Sequence, residues 1–336
     1  MKMIETNPPV SLIFKNFSDN HNCNVIAEDI LERVFFNENL QLPKIILAIG
    51  SVRSGTTASL RVYAEAGIKA YSQPIKSIFR HLSKGKPKLD CGWIIPNNEY
   101  IYVKETFGPF NAEESSLNVI GIIYCIFERY LKTKVPKNDL SSQALCLMRD
   151  KLHIVIMGRH PINSWLSNER IYHEFMRVVD EGERWYYDIS LESLFENFII
   201  AYQHVERLRV FAQRTNISLS HYVYEANLYP DIVANKLFER IGISVKPKTS
   251  GWTDKSILGV EGSNVIITPD HASQARAGIF NQVNHATGIR YCDGKDNTMP
   301  DNNIIKAITE AGLIDIYGSW VSESEKELGF NSKKIL

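Results

Sequence analysis

Five apolar residues, Ile45 to Ile49 (IILAI), run directly into Gly50 to Thr57 (GSVRSGTT), and Thr56 to Ala66 then reads as a helix closed by Gly67. A short continuous run of β-branched residues and leucine bounded by turn signals predicts a buried strand. The two glycines allow a tight turn and let the backbone approach a ligand closely. The amides that open the following helix point outward at the positive end of its dipole, so strand, loop and helix together form a phosphate cradle. The Gly50–Gly55 spacing matches the nucleotide-triphosphate loop GxxxxGK[ST], but Thr56 stands where that loop has lysine. Kinases and ATPases need that lysine on the β/γ-phosphates. Here the cation is Arg53, inside the loop. The segment therefore predicts a bound phosphate that is not part of a triphosphate, held by Ser51, Arg53, Ser54, Gly55, Thr56 and Thr57. The bland alternative is a glycine turn with a solvated arginine.

Further along, Tyr100 to Lys104 (YIYVK), His153 to Met157 (HIVIM) and Leu219 to Tyr224 read as strands. Helical patterns cover Glu113 to Leu131, Leu140 to Lys151, a stretch from Pro161, Leu191 to Arg214, and Pro230 to Ile241. Two short helices close the chain. An amphipathic helix is expected around Ile26 to Phe36, within a polar leader of residues 1–40, and residues 246–300 look mostly like loops. Strands separated by helices imply an α/β, P-loop-like three-layer fold over residues 41–336, with a mostly parallel sheet flanked by helices. Such sheets bind ligands at the carboxyl ends of their strands.

The third of these strands ends in Gly158-Arg159-His160-Pro161, and Pro161 suits the first turn of a helix. Arg159 can hold a phosphate bidentately, and Ser167, eight residues on, can add a hydroxyl. Taken alone, Arg159 reads equally as a surface ion-pair residue, and His160 as structural. Together the two anion loops resemble the PAPS-dependent sulfotransferase family. In that family a K/R-S-G-T-T loop holds the 5'-phosphate of PAPS (3'-phosphoadenosine 5'-phosphosulfate), and an Arg with a Ser eight residues later holds the 3'-phosphate. Tyr222-Val-Tyr224-Glu225, then Leu228-Tyr-Pro230 and Phe238-x-x-Ile241-Gly242, is similar to the family's third motif, with Ala226 and Asn227 where an acidic residue is usual. The resemblance spans roughly residues 43 to 245. The family's basic-glycine motif has its nearest counterpart in Arg276-Ala277-Gly278.

The resemblance implies sulfuryl transfer from PAPS to a small hydroxyl- or amine-bearing acceptor, such as a natural product, with release of PAP (3'-phosphoadenosine 5'-phosphate). Arg53 would stabilise the leaving phosphate electrostatically, since an arginine does not act as an acid. No metal is implied. Many members carry a histidine as base in a KTH strand end, but here Val103-Lys104-Glu105-Thr106 puts Thr106 at the histidine position. Glu105 is the expected base, with Lys104 on the donor. An ordinary ion pair between the two is the alternative, and His160 and His81 are outside candidates. Trp165, Tyr172, Trp185, Tyr186, Tyr187 and Trp252 could line an acceptor pocket or belong to the core. A P-loop kinase or NTPase, and an inactive nucleotide-binding protein on the same fold, are the rival readings.

Composition narrows the partners. Lys+Arg and Asp+Glu are equal at 38 each, so the net charge is zero. There is no basic stripe for nucleic acid. The five cysteines are scattered and form no CxxC pair, which fits reduced thiols rather than disulfides or zinc. No apolar run reaches the roughly 18 residues of a membrane span, and the first residues lack a signal-peptide core. A soluble cytoplasmic protein is the expectation.

Overall fold

Alternate residues of the central strands feed two different apolar cores, which is the pattern of a sheet covered on both faces. The computed structural model describes residues 27–36, 41–83, 92–108, 110, 112–134, 140–178, 189–252, 264–267, 286–291 and 301–332. In chain order these form α1 (Ala27–Leu31), β1 (Val34–Phe35), β2 (Lys44–Ser51), α2 (Thr56–Glu65), β3 (Lys69–Ser72), α3 (Pro74–Ser83), β4 (Trp93–Ile94) and β5 (Tyr100–Phe107). There follow α4 (Ala112–Ser115), α5 (Val119–Lys132), α6 (Leu140–Lys151), β6 (Leu152–Gly158), α7 (Pro161–Val178), α8 (Leu191–Arg214), β7 (Ser218–Val223), α9 (Pro230–Ile241), β8 (Val265–Ile267), α10 (Asn302–Glu310) and α11 (Leu313–Leu328).

The main sheet has six strands in the order β7-β6-β2-β5-β3-β8, and every pairing is parallel. One face presents Ile45, Leu47, Ile49, Val103, Ile154 and Ile156 to a core shared with α3, α5, α8 and α11. The other presents Ile46, Ala48, Tyr102, Val155, Met157 and Tyr222 to α2 and α9. The α/β fold with a central parallel sheet flanked by helices is thus as expected.

Several local expectations change. The single helix expected around residues 26–36 stops at Leu31, and Val34–Phe35 pairs in parallel with Trp93–Ile94 in a separate two-stranded sheet. Ile30 and Val34 belong to the main core, so this part of the leader packs onto the domain. The helix expected from Glu113 breaks at Asn118, whose side chain accepts from the Gly121 amide at 2.9 Å and starts α5. Strand β3 (KAYS) and helix α3 carried no clear sequence signal. The strand beginning near Leu219 stops at Val223, and Tyr224 opens a short 3-10 turn to Leu228. The second of the two closing helices, α11, is 16 residues long and covers the open edge of β7. There Glu327 accepts from the His221 amide at 2.7 Å, and Ser324 Oγ donates to the His221 carbonyl at 3.1 Å. An unpaired edge would otherwise invite pairing with another chain.

Two buried histidines tie stability to pH. His153 lies between the hydroxyls of Ser218 and Ser220, at 2.7 and 3.0 Å. His204 Nε2 lies 3.1 Å from the Leu117 carbonyl. Burial holds His153 down to about 3 and His204 down to about 4. Both folded values lie below the unfolded value of about 6.5. Below that pH the unfolded chain binds more protons, so the stability is full above about pH 6.5 and falls as pH drops toward 4. Each histidine should cost about 2 kcal/mol between pH 6.5 and 5, by the linkage of about 1.36 kcal/mol per pH unit per proton. Urea unfolding of His204→Gln should show a pH slope about one proton shallower than the wild type in this range. An unchanged slope would contradict the buried neutral state.

Candidate active site

The carboxyl ends of β2, β6 and β5, three adjacent strands, carry the candidate residues. Gly50 is packed so closely that an added Cβ would meet the Met157 carbonyl and Ser54 Oγ at 2.6 Å. After Ser51 the loop turns through Arg53 at φ 64° and Gly55 at φ 88°. The left-handed region is uncommon for arginine and costs of order 1–3 kcal/mol, a strain that concentrates at ligand-binding turns. Gly55 caps α2 without any side-chain hydrogen bond, leaving the first amides of the helix facing the loop. Ser51 is buried, and its hydroxyl has no hydrogen-bond partner among the described residues. Such a hydroxyl inside a strained glycine loop at a helix N-terminus is an arrangement that suits an anion.

The loop is braced from β6 and α7. Ser164 Oγ donates to the Val52 carbonyl at 2.7 Å, and Arg159 Nη1 to the Arg53 carbonyl at 3.3 Å. Arg53 Nε donates to Ser167 Oγ at 3.1 Å. Arg53 thus reaches Ser167, and Arg159 reaches the backbone of Arg53. Neither is salt-bridged to a carboxylate among the described residues. Burial, then Arg159 and Arg170, hold Arg53 down to about 10, still well above the range in which it would lose its charge. Arg159 also lies over the Tyr224 ring at 4.4 Å, and Tyr291 packs 5.4 Å from that ring. The sequence-predicted Ser51, Arg53, Ser54, Gly55, Thr56, Thr57, Arg159, Ser167 and Tyr224 are thus brought together. Arg276 lies outside the described residues.

Strand alternation separates Lys104 from Glu105. Lys104 lies on the α2 face and donates to Thr57 Oγ1 at 2.9 Å. Burial, then Lys76 and Arg53, hold its amine down to about 7. Glu105 lies on the opposite face, fully buried, where its carboxylate accepts from the Ile75 amide at 2.7 Å and the Lys76 amide at 3.4 Å. The structure thus places Glu105, the expected base, on the face opposite Lys104, where it caps the N-terminus of α3. Burial pushes its carboxyl up to about 8, against the two amides. Thr106 shares the Lys104 face by the same alternation.

Beyond β5, Lys76 Nζ donates to the carbonyls of Thr106 and Gly108 at 2.8 and 3.0 Å, and Arg80 pairs with Glu114 in a fork of 2.7 and 3.0 Å. This network fixes the strand end beside Lys104. Of the aromatic candidates, Trp165 is core, 4.8 Å from Phe195. Trp252 is buried under the Arg61 guanidinium. Tyr172 donates to the Ile189 carbonyl at 2.6 Å. Residues 185–187 lie outside the described residues. His160 stands beside Arg159, its ring edge-on to Tyr317.

Sequence reading missed Ser164, although it lies three residues before Ser167 on one helix face. It also missed Tyr317, whose role depends on a long-range contact that no local pattern reveals. Among the described residues no cluster of His, Cys, Asp or Glu could hold a metal ion. No described helix is long and apolar enough to cross a membrane.

The chain matches no protein-family model and no curated protein. Among solved structures it is similar to a crystal structure of retinol dehydratase in complex with androsterone and inactive cofactor PAP. The identity is 13%, over 88% of this chain and 84% of that one, with a TM-score of 0.34.

Helix capping by Glu105 makes a distinct prediction. Glu105→Ala should lower unfolding free energy by about 1–2 kcal/mol. Glu105→Gln, which keeps an acceptor for the Ile75 amide, should keep turnover within about twofold. A large loss of turnover in Glu105→Gln at unchanged stability would restore Glu105 as base.

Proposed function

We propose that the chain is a PAPS-dependent sulfotransferase acting on a small-molecule acceptor. The observation that carries this reading is the adjacency of Arg53 and Arg159, both without a carboxylate partner among the described residues, beside a strained loop that lacks the triphosphate-binding lysine. Half-buried cations of like sign repel and lose part of their hydration, so their juxtaposition favours an anion between them. Two separate anion loops suit a donor with phosphates at two positions better than a single triphosphate chain.

The donor supplies the sulfuryl group, whose bond to the 5'-phosphate breaks as its bond to the acceptor oxygen or nitrogen forms. The open amides of Thr56 and Thr57, with the Ser51 hydroxyl, bind the 5'-phosphate and receive the charge that develops on it. Arg53 adds fixed positive charge there. Arg159 and Ser167 hold the 3'-phosphate and set the position of the nucleotide, with Tyr224 alongside. Lys104 is the proton acceptor in this reading. It lies on the donor face, it is buried, and burial with the cations around it holds its amine down to about 7. A base poised near the working pH is the effective one. After taking the acceptor's proton, its ammonium faces the developing negative charge.

Calorimetric titration with PAP and with ATP·Mg²⁺ tests the donor assignment. PAP should bind in the micromolar range and ATP·Mg²⁺ should not, and Arg159→Ala should weaken PAP without unfolding the protein. Binding of ATP·Mg²⁺ and not of PAP would replace this reading with a kinase. For the base, Lys104→Arg keeps the charge and loses the neutral amine. It should lower turnover with an accepted phenol or amine by about a hundredfold, the lower end of the general-base contribution, and leave PAP affinity within about threefold. Wild-type turnover in Lys104→Arg removes Lys104 as base.

A further inference from the structure

Arg159 is held by a part of the chain far from it in sequence. Its backbone carbonyl accepts from the Tyr202 hydroxyl at 3.0 Å. Trp320 of α11 stacks on Tyr202 at 4.9 Å, with ring planes 13° apart, and donates through Nε1 to Glu206 at 2.8 Å. Residue 158 has to be glycine at this point. A Cβ there would lie 2.9 Å from the Trp320 ring, 3.3 Å from Val223 and 3.5 Å from Tyr317.

Tyr317, one turn before Trp320, reaches the site from two sides. Its ring stands edge-on to His160 at 5.6 Å, against the turn that carries Arg159. Its hydroxyl donates to the Glu225 carboxylate. Burial and the adjacent Glu225 push the phenol well above its ordinary range, so it stays protonated and remains the donor. Glu225 adjoins Tyr224, the residue whose ring lies under the Arg159 guanidinium. Tyr317 therefore touches both halves of the Arg159–Tyr224 pair: the strand tip that bears the cation and the turn that bears the ring.

We propose that Tyr317 is a positioning residue for the second anion site, holding the Arg159 guanidinium against Tyr224 through Glu225 and the Gly158–His160 turn. The inference builds on the sulfotransferase reading for the identity of the anion, but not for the contact itself. An arginine side chain free to rotate loses conformational entropy when it binds a phosphate. One already stacked and braced has lost it beforehand. The C-terminal helix thereby serves two ends of β7, covering its open edge with Glu327 and Ser324 and bracing the anion site with Tyr317 and Trp320.

The test uses the full chain and the variants Tyr317→Phe and Glu225→Leu. Tyr317→Phe removes the donor and Glu225→Leu the acceptor of the same hydrogen bond, each with a side chain of similar size. Each should weaken PAP binding about tenfold, and the double variant should be no weaker than either single one, because both break one interaction. In the Arg159→Ala background, Tyr317→Phe should have no further effect. A ligand-independent readout is the Arg159 Nε–Hε resonance, assigned by its loss in Arg159→Lys. It should shift in both variants before any nucleotide is added. Unchanged PAP affinity with an unshifted resonance overturns the proposal, as does a lowered unfolding midpoint with affinity and resonance intact, which marks a merely structural contact. If the wild type binds no PAP, the donor reading fails, and the resonance alone then decides the positioning role.

Discussion

The parallel pairing of β2 with β6 sets the distance between the two anion loops. Gly50 is the register partner of Met157, and the close approach there tolerates no Cβ. From that contact the two strands run one residue further and end, at Ser51 and Gly158, in loops that turn toward each other. A side chain at residue 50 would push the tips apart, and Arg53 could no longer reach Ser167. Parallel sheets gather strand ends in this way at their carboxyl edge, and here the gathering brings like charges together. Removing two guanidiniums from water without a carboxylate partner is costly. The fold offsets that cost with neutral acceptors, Ser167 Oγ for Arg53 and a carbonyl and a ring for Arg159, which leaves the charges available to an anion.

Lys104 extends the same electrostatic logic. Its amine is burdened by burial and by cations around it, and Glu105, its neighbour in sequence, lies on the far side of the sheet. The period of two along a strand makes this unavoidable. Side chains at 104 and 105 diverge, and those at 104 and 106 share a face. The buried Lys76, Arg80 and Glu114 then lock the strand end in place through the carbonyls of Thr106 and Gly108.

Much of this was legible in the sequence where chemistry and periodicity coincide. The apolar runs of β2 and β6, the glycine loop and the eight-residue spacing from Arg159 to Ser167 placed most of the candidate site. Strand β3 was not legible, because KAYS lacks the apolar continuity of a buried strand and gains its place by pairing with β5 and β8. The break at Asn118 rests on a side-chain cap just ahead of the apolar run from Val119 to Phe127. Glu105 was expected as base because it adjoins Thr106, the histidine position of the resemblance, while alternation in a strand puts it on the face opposite Thr106 and Lys104. The helix α3 that receives Glu105 had itself gone unseen. Tyr317 and Trp320 act across more than 90 residues of chain, beyond any local pattern.

Two guanidiniums and a buried amine at the carboxyl edge of a sheet amount to a transferase only if the group carried by the donor moves. Incubation with PAPS radiolabelled in its sulfuryl group, together with a panel of small phenols, alcohols and amines, measures this directly. The account predicts label in an organic product, in equal amount with PAP released, and loss of that label in Lys104→Arg. Retention of PAP with label found only as unreacted donor or inorganic sulfate would contradict it and leave a nucleotide-binding protein in its place.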